Sequence, residues 1–559
     1  MKRIIEVTLI ILLPITILLV VIVKWQSDKT SHYFDKGKIK LESKLRMPVD
    51  HSKFPELQKD FSSPQEVTET CLKCHNNVHK QFINNEHWTW VHMDSLPGRK
   101  GKYDLGKRDV LNNFCIGASS NEGLCAMCHA GYGYNRKTFN PKDTKNLDCL
   151  ICHDNTGTYF KANPCVDTSS QGFGYPAKNV NLSYVAQHVG FTGRDNCGRC
   201  HFTGGGGNNV KHGDLELALN KCTRDVDVHM GTDGANLSCS ECHKTKNHQI
   251  TGNLAMVSGT PKNSFSCTEC HTSRPHKSKI LNDHFAQVSC EACHIPTYAK
   301  VQPTKIFWDW SKSGKLDKNK KPIIWEKEIP ADSLKNYIDN PEYFLSLGAD
   351  SFKIEYDARH GFAVFAKQIK PEYVWYNGYT QHHLIDDTIT TDTVHLSQAI
   401  GSYYDNLHPT DKNHPSKIYP VKIMRGKQIY DTEYKHLINP RLAAKKKGLG
   451  AYWVEFDWAK SAQAGMEYRG DKFSGHYGFI NTTSLWPLHH EVSPASEALS
   501  CEQCHSPNGR LAKIKDIYLP GRDRNPWIEY IGLFMIAGAL IGVFGHGLLR
   551  IISNKKRVA

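Results

Sequence analysis

The chain has 559 residues, with 70 Lys and Arg against 56 Asp and Glu, and its formal net charge is +14. Charged residues make up 23% and aromatic residues 10% of the chain, a composition that excludes an intrinsically disordered protein. The basic charge by itself would suggest a nucleic-acid-binding protein. The arrangement of the 19 cysteines and 30 histidines excludes that interpretation, as the motifs below show, and no nucleic-acid partner is expected.

An apolar run opens the chain. Residues 4–23 form 20 residues in which Glu6 is the one charged side chain, a length that spans the hydrocarbon core of a bilayer. A cleaved signal peptide is the alternative, but the run is long for one and no small-residue cleavage site follows. We predict a short tail at residues 1–3, an uncleaved transmembrane anchor at residues 4–23 and a polar linker at residues 24–65.

A string of two cysteines, separated by two residues and followed directly by a histidine, is repeated through the next region. Residues 66–300 hold seven copies and an eighth lies near residue 500, far more than chance produces at this composition. The copies, numbered motif 1 to motif 8, are Cys71-Cys74-His75, Cys125-Cys128-His129, Cys149-Cys152-His153, Cys197-Cys200-His201, Cys239-Cys242-His243, Cys267-Cys270-His271, Cys290-Cys293-His294 and Cys501-Cys504-His505.

This spacing is suited to the covalent attachment of haem. Two thiols three residues apart on one helical turn reach the two vinyl groups of one porphyrin, and the adjacent imidazole becomes the proximal iron ligand. Paired cysteines also build zinc sites or disulfide scaffolds, but neither requires a histidine after every pair. We therefore predict eight covalently bound haems c, with the motif cysteines as attachment points, the motif histidines as ligands and no other cofactor.

Each iron with two axial ligands needs a second, distal residue from elsewhere in the chain. Of the 30 histidines, 22 lie outside the eight motifs. Any one of them can equally be a surface residue, but as a set they are expected to supply most of the distal ligands. The predicted distal histidines are His87, His188, His212, His229, His248, His276, His284 and His490.

The spacing of the motifs also constrains the core. One motif occurs about every 32 residues between residues 71 and 294, and a unit of that size buries too little apolar surface to fold alone. We therefore expect a mainly α-helical chain with much irregular loop, in which eight closely spaced haems form the core of a multihaem cytochrome c fold. Such a series of haems conducts electrons, since cofactors carry the chemistry and protein sets access.

The last third of the chain carries a second apolar segment. Residues 301–526 are rich in tryptophan and tyrosine, and we predict short helices and loops that pack over the haem series. Residues 527–551 are predicted to form a transmembrane helix, followed by a basic tail at residues 552–559. Basic residues beside both apolar segments place both termini in the cytoplasm. The haem domain then lies on the periplasmic or external side of a bacterial or archaeal inner membrane.

The predicted C-terminal helix contains an ionisable residue. His546 lies near its cytoplasmic end, and intramembrane ionisable residues are often functional. It suits contact with a haem b or a quinone site in a partner, or else a hydrogen bond to a neighbouring helix; both interpretations stay open. The expected partner is a membrane-embedded b-type cytochrome or another quinol-oxidising subunit.

Two further features suggest where chemistry takes place. Cys115 lies ten residues before motif 2, and a free thiol beside a haem favours thiolate, although a buried small hydrophobe is equally compatible. Residues 204–207 are four glycines, which either let the backbone approach a group closely or form a flexible loop. Cys165 and Cys222 remain, and a disulfide between them is the simplest interpretation.

The chain resembles the octahaem tetrathionate reductases over roughly residues 66–510. The resemblance rests on the eight motifs and on residues 112–115, 128–133 and 204–214. In that family the second haem is catalytic, a lysine is its distal ligand, and a cysteine and an aspartate lie beside it. The resemblance implies that Lys211 is this ligand and Cys115 this cysteine, while the aspartate falls on Asn208. That substitution removes a carboxylate able to relay protons, and the two membrane segments also differ from the family's soluble pattern.

Two functions are therefore compatible with the sequence. The first is a membrane-anchored reductase fed by quinol, acting on a small anionic or nitrogenous substrate: tetrathionate, nitrite or hydroxylamine. Cys115 and Lys211 favour it, and Asn208 belongs to the same candidate site. The second is an electron conduit between a membrane quinol oxidase and an external acceptor, with no chemistry of its own. Asn208 and the two membrane segments favour this alternative.

Overall fold

The structure is a computed structural model that describes residues 49–111, 117–162 and 173–556, with side chains up to residue 553. The predicted anchor at residues 4–23, the predicted catalytic Cys115 and one partner of the possible disulfide, Cys165, lie outside the described residues. The chain divides into two compact units, the first ending at Ala498 and the second beginning at Leu499.

Short helices dominate the region of the motifs. Helix α1 begins after Ser63, whose side chain accepts a hydrogen bond from the Glu66 N–H, and it ends at Cys74 in motif 1. Within the described residues the α-helices are α1 Pro64–Cys74, α2 Val78–Phe82, α3 Glu86–Thr89, α4 Glu122–Cys125, α5 Leu150–His153, α6 Leu182–Gln187, α7 Arg194–His201, α8 Cys239–Cys242, α9 Lys279–His284, α10 Cys290–His294, α11 Glu342–Ser346, α12 Tyr403–Leu407, α13 Tyr452–Glu455, α14 Trp458–Arg469, α15 Cys501–Cys504 and α16 Pro526–Lys556.

Single turns of 3₁₀-helix connect many of these elements. In the part of the chain that the structure describes they are His51–Lys53, Pro55–Leu57, Ala126–Cys128, Thr144–Asn146, Leu217–Lys221, Cys267–Glu269, Trp310–Lys312, Ala331–Asn336 and Ala495–Glu497.

Strands concentrate between residues 304 and 487. The described strands are β1 His92–Asp94, β2 Tyr103–Leu105, β3 Thr245–Lys246, β4 Gln249–Ile250, β5 Thr304–Asp309, β6 Ile324–Pro330, β7 Ser351–Asp357, β8 Gly361–Ala366, β9 Glu372–Tyr376, β10 Thr380–His382, β11 Thr393–His395, β12 Ser397–Ala399, β13 Lys417–Asp431 and β14 Tyr477–Pro487.

An eight-stranded mixed sheet is built around β13. Its order is β11-β14-β13-β5-β8-β7-β6, and β9 also pairs with β13. Strand β13 runs antiparallel to β14 along most of its length and parallel to β5. Three two-stranded pairs, β1-β2, β3-β4 and β10-β12, complete the described strands. The sheet gives residues 304–487 a rigid framework of their own.

Both faces of the central strands are covered. Strand β8 reads GFAVFA and is buried at every position, as expected for a strand packed on both sides. One apolar cluster includes Ile306, Phe352 and Val364, and a second includes Trp308, Met424 and Trp486. The second cluster also contains Val210, so the sheet packs against the segment that carries Lys211.

The expectation of a mainly α-helical chain needs correction. Helix accounts for 30% and strand for 18%, and most of the strand lies in the part predicted as short helices and loops. The alternation that indicates a strand was present in β13, where Ile418, Pro420, Lys422 and Met424 are buried at every second position. A lysine within this alternation obscured the pattern in the sequence.

The described end of the predicted linker is part of the folded unit. Leu57 is buried in an apolar cluster with Val67 and Val185. The Gln187 side chain, at the end of α6, donates a hydrogen bond to the Leu57 carbonyl oxygen at 2.8 Å. Residues 49–65 therefore pack against the motif-bearing helices.

The unit from Leu499 onward contains motif 8 and helix α16. Within α16, Pro526–Ser553 is a stretch of 28 residues that contains a strongly apolar segment of 18 residues, none of them buried. By length and composition this stretch is able to cross a membrane, a feature it shares with some helices of other kinds.

The sheet core allows a test by matched substitutions. We expect Ile354→Ala, at a fully buried position of β7, to reduce the free energy of unfolding by about 2–5 kcal/mol because it leaves a cavity. Ile324→Ala on the neighbouring β6, where the side chain is 57% exposed, should change it by about 0.5 kcal/mol or less. Denaturant titration followed by circular dichroism measures both, and equal losses would contradict the assigned sheet.

Candidate haem sites

Each motif forms a local turn that gathers its three functional residues. In five motifs the histidine N–H donates to the carbonyl oxygen of the first cysteine at 2.8–3.1 Å. One helical turn between the cysteines places both thiols on the same face. The five histidines are His75, His153, His243, His271 and His505.

Backbone carbonyls orient several of the motif rings. The Nδ1 atom of His153 lies 2.8 Å from the Gly190 carbonyl oxygen, and that of His243 lies 2.8 Å from the Thr251 carbonyl oxygen. Such a contact assigns the proton to Nδ1 and leaves Nε2 available to a metal.

Five motif histidines face a second imidazole. A metal-bound imidazole nitrogen lies about 2 Å from the metal, so two rings on opposite sides of one ion have centroids roughly 6 Å apart. The observed centroid distances agree with this spacing, and the residues therefore fit an iron between the rings. The pairs are His51–His75 at 6.3 Å, His87–His201 at 6.1 Å, His229–His271 at 6.0 Å, His243–His490 at 6.2 Å and His276–His294 at 6.2 Å.

Four predicted distal histidines thus lie opposite motif histidines: His87, His229, His276 and His490. The fifth partner, His51, was missed because it falls within the predicted linker. Its ring plane is inclined by 25° to that of His75, and its Nδ1 atom lies 2.9 Å from the Val49 carbonyl oxygen. The signal that could have found it is a histidine 20 residues before a motif, close to an apolar residue that anchors the segment.

The other predicted distal histidines lie in varied settings. The Nδ1 atom of His248 lies 2.9 Å from the Gln81 side-chain oxygen, and burial, followed by the charge of His153, lowers its pKa. His248 is therefore close to motif 3. The Nδ1 atoms of His188 and His284 each lie 2.7 Å from a carbonyl oxygen of their own helix. These three assignments, and that of His212, whose ring packs against Trp486, stay predictions.

The motifs of the first unit form one connected series. Cysteines of different motifs contact each other or lie within electrostatic range, which places neighbouring attachment sites side by side. Four pairs are in direct contact: Cys71 with Cys149, Cys128 with Cys200, Cys197 with Cys239 and Cys267 with Cys290. Two further pairs lie within electrostatic range of each other: Cys152 with Cys200, and Cys242 with Cys270. The order is therefore motif 1, 3, 4, 5, 6, 7, with motif 2 attached to motif 4.

Motif 2 differs from the five motifs with facing imidazoles. The His129 ring is fully buried, and its ring contacts among the described residues are aromatic rather than histidine: Trp88, Trp90, Tyr134 and Phe139. The Nε2 atom of His129 lies 2.5 Å from the Trp88 carbonyl oxygen, and burial lowers the pKa of the ring to about 3. His129 must turn away from Trp88 before this nitrogen is able to bind iron.

Three lysines surround motif 2. Contact with Cys200 lowers the pKa of the Cys128 thiol, and the charges of Lys107, Lys211 and Lys161 lower it further. The Lys161 ammonium, fully buried, lies 3.0 Å from the Asp148 carboxylate and donates to the His129 carbonyl oxygen at 2.6 Å. Lys161 thus holds the backbone of motif 2; no sequence pattern singled it out.

Lys211 lies between motifs 2 and 4. Its Nζ atom is 5.9 Å from the centre of the Trp486 ring, and its charge contributes, after burial, to the lowered pKa of His87 and His201. Lys211 therefore lies within electrostatic range of Cys128 and of the His87–His201 pair. The ring of neighbouring His212 packs edge-on against Trp486, with centroids 4.9 Å apart.

The glycine run before Lys211 makes a close approach. A Cβ atom at Gly204 would lie 2.3 Å from the Cys200 carbonyl oxygen, and Gly205, Gly206 and Gly207 all have positive φ. Asn208 follows, and its side-chain oxygen accepts a hydrogen bond from the Leu217 N–H at 2.8 Å. The run therefore carries the chain past motif 4 in a conformation that other residues rarely adopt.

Attachment motifs with opposed imidazoles define a multihaem c-type cytochrome, a redox protein that carries covalently bound haem. The chain is similar to the octahaem cytochrome c of Shewanella oneidensis, with 37% sequence identity and a TM-score of 0.68. The match covers 83% of this chain and 95% of that one. This chain therefore belongs to the octahaem cytochrome c family.

Two further comparisons agree with this assignment. The sequence family described as "Cytochrome c bacterial" matches residues 305–508, the part that contains the sheet and motif 8. An uncharacterised protein of Archaeoglobus fulgidus is 25% identical over 250 residues, which cover 37% of this chain and 81% of that protein.

The facing pair at motif 1 can be tested directly. We expect His51→Ala to convert one haem from bis-histidine ligation to a high-spin or water-ligated form, because its distal nitrogen is removed. Electron paramagnetic resonance and the optical spectrum of the oxidised protein report this change. His79→Ala, which removes a different histidine near motif 1, is the control, and a ligation change in His79→Ala alone would contradict the pair.

Proposed function

We propose that the protein is a membrane-anchored octahaem reductase that holds eight haems c and acts at the haem of motif 2, with Lys211 as its distal ligand. The observation that carries this proposal is the difference between motif 2 and the five motifs with facing imidazoles. The described ring contacts of His129 are aromatic rather than histidine, and three lysines lie within electrostatic range of Cys128. Lys211 is the one that the family resemblance assigns to the iron.

A lysine ligand suits an iron that must accept a substrate. It binds metal only as the neutral amine, and burial together with nearby positive charge favours that form. An amine is a less usual iron ligand than imidazole, so we expect it to yield to an incoming substrate more readily. When bound, the haem supplies electrons and the coordination position. The chain's own residues control which molecules reach the iron.

Positive charge at motif 2 favours an anionic substrate. Apart from Lys211, which is neutral when it binds iron, Lys107 and Lys161 lie close enough to influence one thiol, Cys128, and their positive charge concentrates anions. Tetrathionate and nitrite are anions, whereas hydroxylamine is not. We propose that the Cys115 thiolate attacks one central sulfur of tetrathionate and releases the first thiosulfate, as in thiol–disulfide exchange. Two electrons delivered to the site then cleave the bond between Cys115 and the second thiosulfate, which leaves, and the thiolate is restored.

Asn208 favours tetrathionate over nitrite as the substrate. Reduction of tetrathionate breaks its central sulfur–sulfur bond, takes up two electrons and gives two thiosulfate anions, without proton uptake. Reduction of nitrite to ammonium consumes many protons. An amide cannot relay protons as a carboxylate does, and Asn208 already accepts a hydrogen bond from the Leu217 N–H.

Electrons are proposed to come from the quinol pool. The apolar stretch Pro526–Ser553 supports anchoring in the inner membrane, with the haem domain on the periplasmic or external side. A b-type cytochrome or another quinol-oxidising subunit is the proposed donor, and His546 is the proposed contact on this chain.

A second candidate is supported by the connected series of motifs. Adjacent attachment sites from motif 1 through motifs 3, 4, 5, 6 and 7 are what a conduit to an external acceptor needs. In that case motif 2 is a side branch without catalysis.

The two candidates differ in their response to Lys211→Ala. A reductase should lose turnover with tetrathionate by at least on the order of tenfold, the loss typical even of outer-shell partners of a metal. Electron flow through the other haems, measured by stopped-flow reduction, should be kept. Lys73→Ala, within motif 1, is the matched control. Unchanged turnover in Lys211→Ala, or no turnover in the parent protein with any of the three substrates, would exclude the proposed reductase. The electron conduit would then be the function that fits.

A further inference from the structure

A fully buried lysine on the sheet holds the backbone of Lys211. Lys422 lies on β13, and its ammonium donates to the carbonyl oxygens of Val210 and Lys211, both at 3.0 Å. Its third hydrogen bond goes to the Thr304 hydroxyl oxygen at 2.6 Å. An ammonium has three N–H donors, and all three are used here.

Thr304 extends this contact by one residue. Its hydroxyl donates to the Asn209 carbonyl oxygen at 2.6 Å, so its lone pairs remain to accept from Lys422. The Asn209 side chain in turn donates to the Gln302 carbonyl oxygen at 2.8 Å. Three consecutive carbonyl groups, at residues 209–211, are therefore held by β5 and β13.

The segment needs such support because of what precedes it. Gly205, Gly206 and Gly207 have positive φ, and glycines restrict the chain less than any other residue. They are unable to define the direction in which the following peptide groups leave the loop. The rigid sheet supplies that direction from residues more than 90 positions away in the sequence.

The buried amine is also an unusual choice for a strand interior. Burial strongly lowers the pKa of Lys422, which reflects the cost of an ammonium in this position. An apolar side chain would fill the same space without that cost. What an apolar side chain lacks is the ability to bind two adjacent carbonyl oxygens.

We propose that Lys422 and Thr304 are positioning residues that fix the Lys211 backbone and thereby aim its side chain at the iron of motif 2. This inference rests on the proposed function, in which Lys211 is the distal ligand. Neither residue touches the substrate; both act through Lys211.

The test compares ligation of the second haem in matched variants of the full-length, haem-loaded protein. Lys422→Met removes the amine and keeps the volume, Thr304→Val removes the hydroxyl, and Thr304→Ser keeps it. Lys300→Met is the control, because Lys300 also donates to two carbonyl oxygens and one hydroxyl, those of Asp225, Val226 and Ser493. Electron paramagnetic resonance reports the ligand set, and optical titration with nitrite reports access to the iron.

We expect the lysine-ligated signal to be lost or shifted in Lys422→Met and Thr304→Val, and retained in Thr304→Ser and Lys300→Met. Nitrite should bind at least about fivefold more tightly to the first two variants, since a displaced amine raises the fraction of binding-competent sites. If Lys422→Met fails to incorporate all its haems, the comparison of Thr304→Val with Thr304→Ser provides the test.

Two results would overturn the inference while the proposed function stands. One is an unchanged signal in Lys422→Met and Thr304→Val when Lys211→Ala abolishes it. The other is identical behaviour of Thr304→Ser and Thr304→Val, which would assign Thr304 to packing. An unchanged signal in Lys211→Ala itself would instead refute Lys211 as the ligand, and the inference with it.

Discussion

The axial pairing of imidazoles is the constraint on which the rest of the structure depends. An iron bound on both sides requires two rings with centroids roughly 6 Å apart, and each pair joins a motif to a residue outside it. The pair His243–His490 connects residues almost 250 positions apart. The described residues contain five pairs with this spacing. Iron bound between the rings would tie the short helices together, because elements of four or five residues bury too little surface to be stable alone.

The sheet supports the loop at residues 204–212. Short helices around cofactors leave loops such as residues 204–212 without rigid neighbours. Strands β5, β13 and β14 supply them: Thr304 and Lys422 bind carbonyl groups of the loop, and Trp486 packs against His212. The match to the bacterial cytochrome c family covers residues 305–508, which include strands β13 and β14 and motif 8. The sheet thus gives the backbone at Lys211 a defined position.

The sequence alone is enough to propose a site where the chemistry is local. Two cysteines and a histidine within five residues form one turn, so eight attachment sites could be predicted without the fold, and the comparisons support covalently bound haem c. Prediction was weaker for distal residues: His87, His229, His276 and His490 face motif histidines, but His51 was assigned to a linker. The sheet was missed because Lys422, a charged residue, occupies a buried position of β13. A buried charge breaks the alternation from which strands are recognised.

The sequence by itself predicted eight motifs for haem attachment, and its resemblance to the octahaem tetrathionate reductases assigned Lys211 to motif 2. The physical reason is that covalent attachment uses neighbouring residues. Only the tertiary structure decided which imidazoles face each other, which motifs are adjacent, and that Lys422 holds the backbone of Lys211. These contacts join residues that are distant in the chain, and their distances depend on how helices and sheet pack rather than on any local pattern.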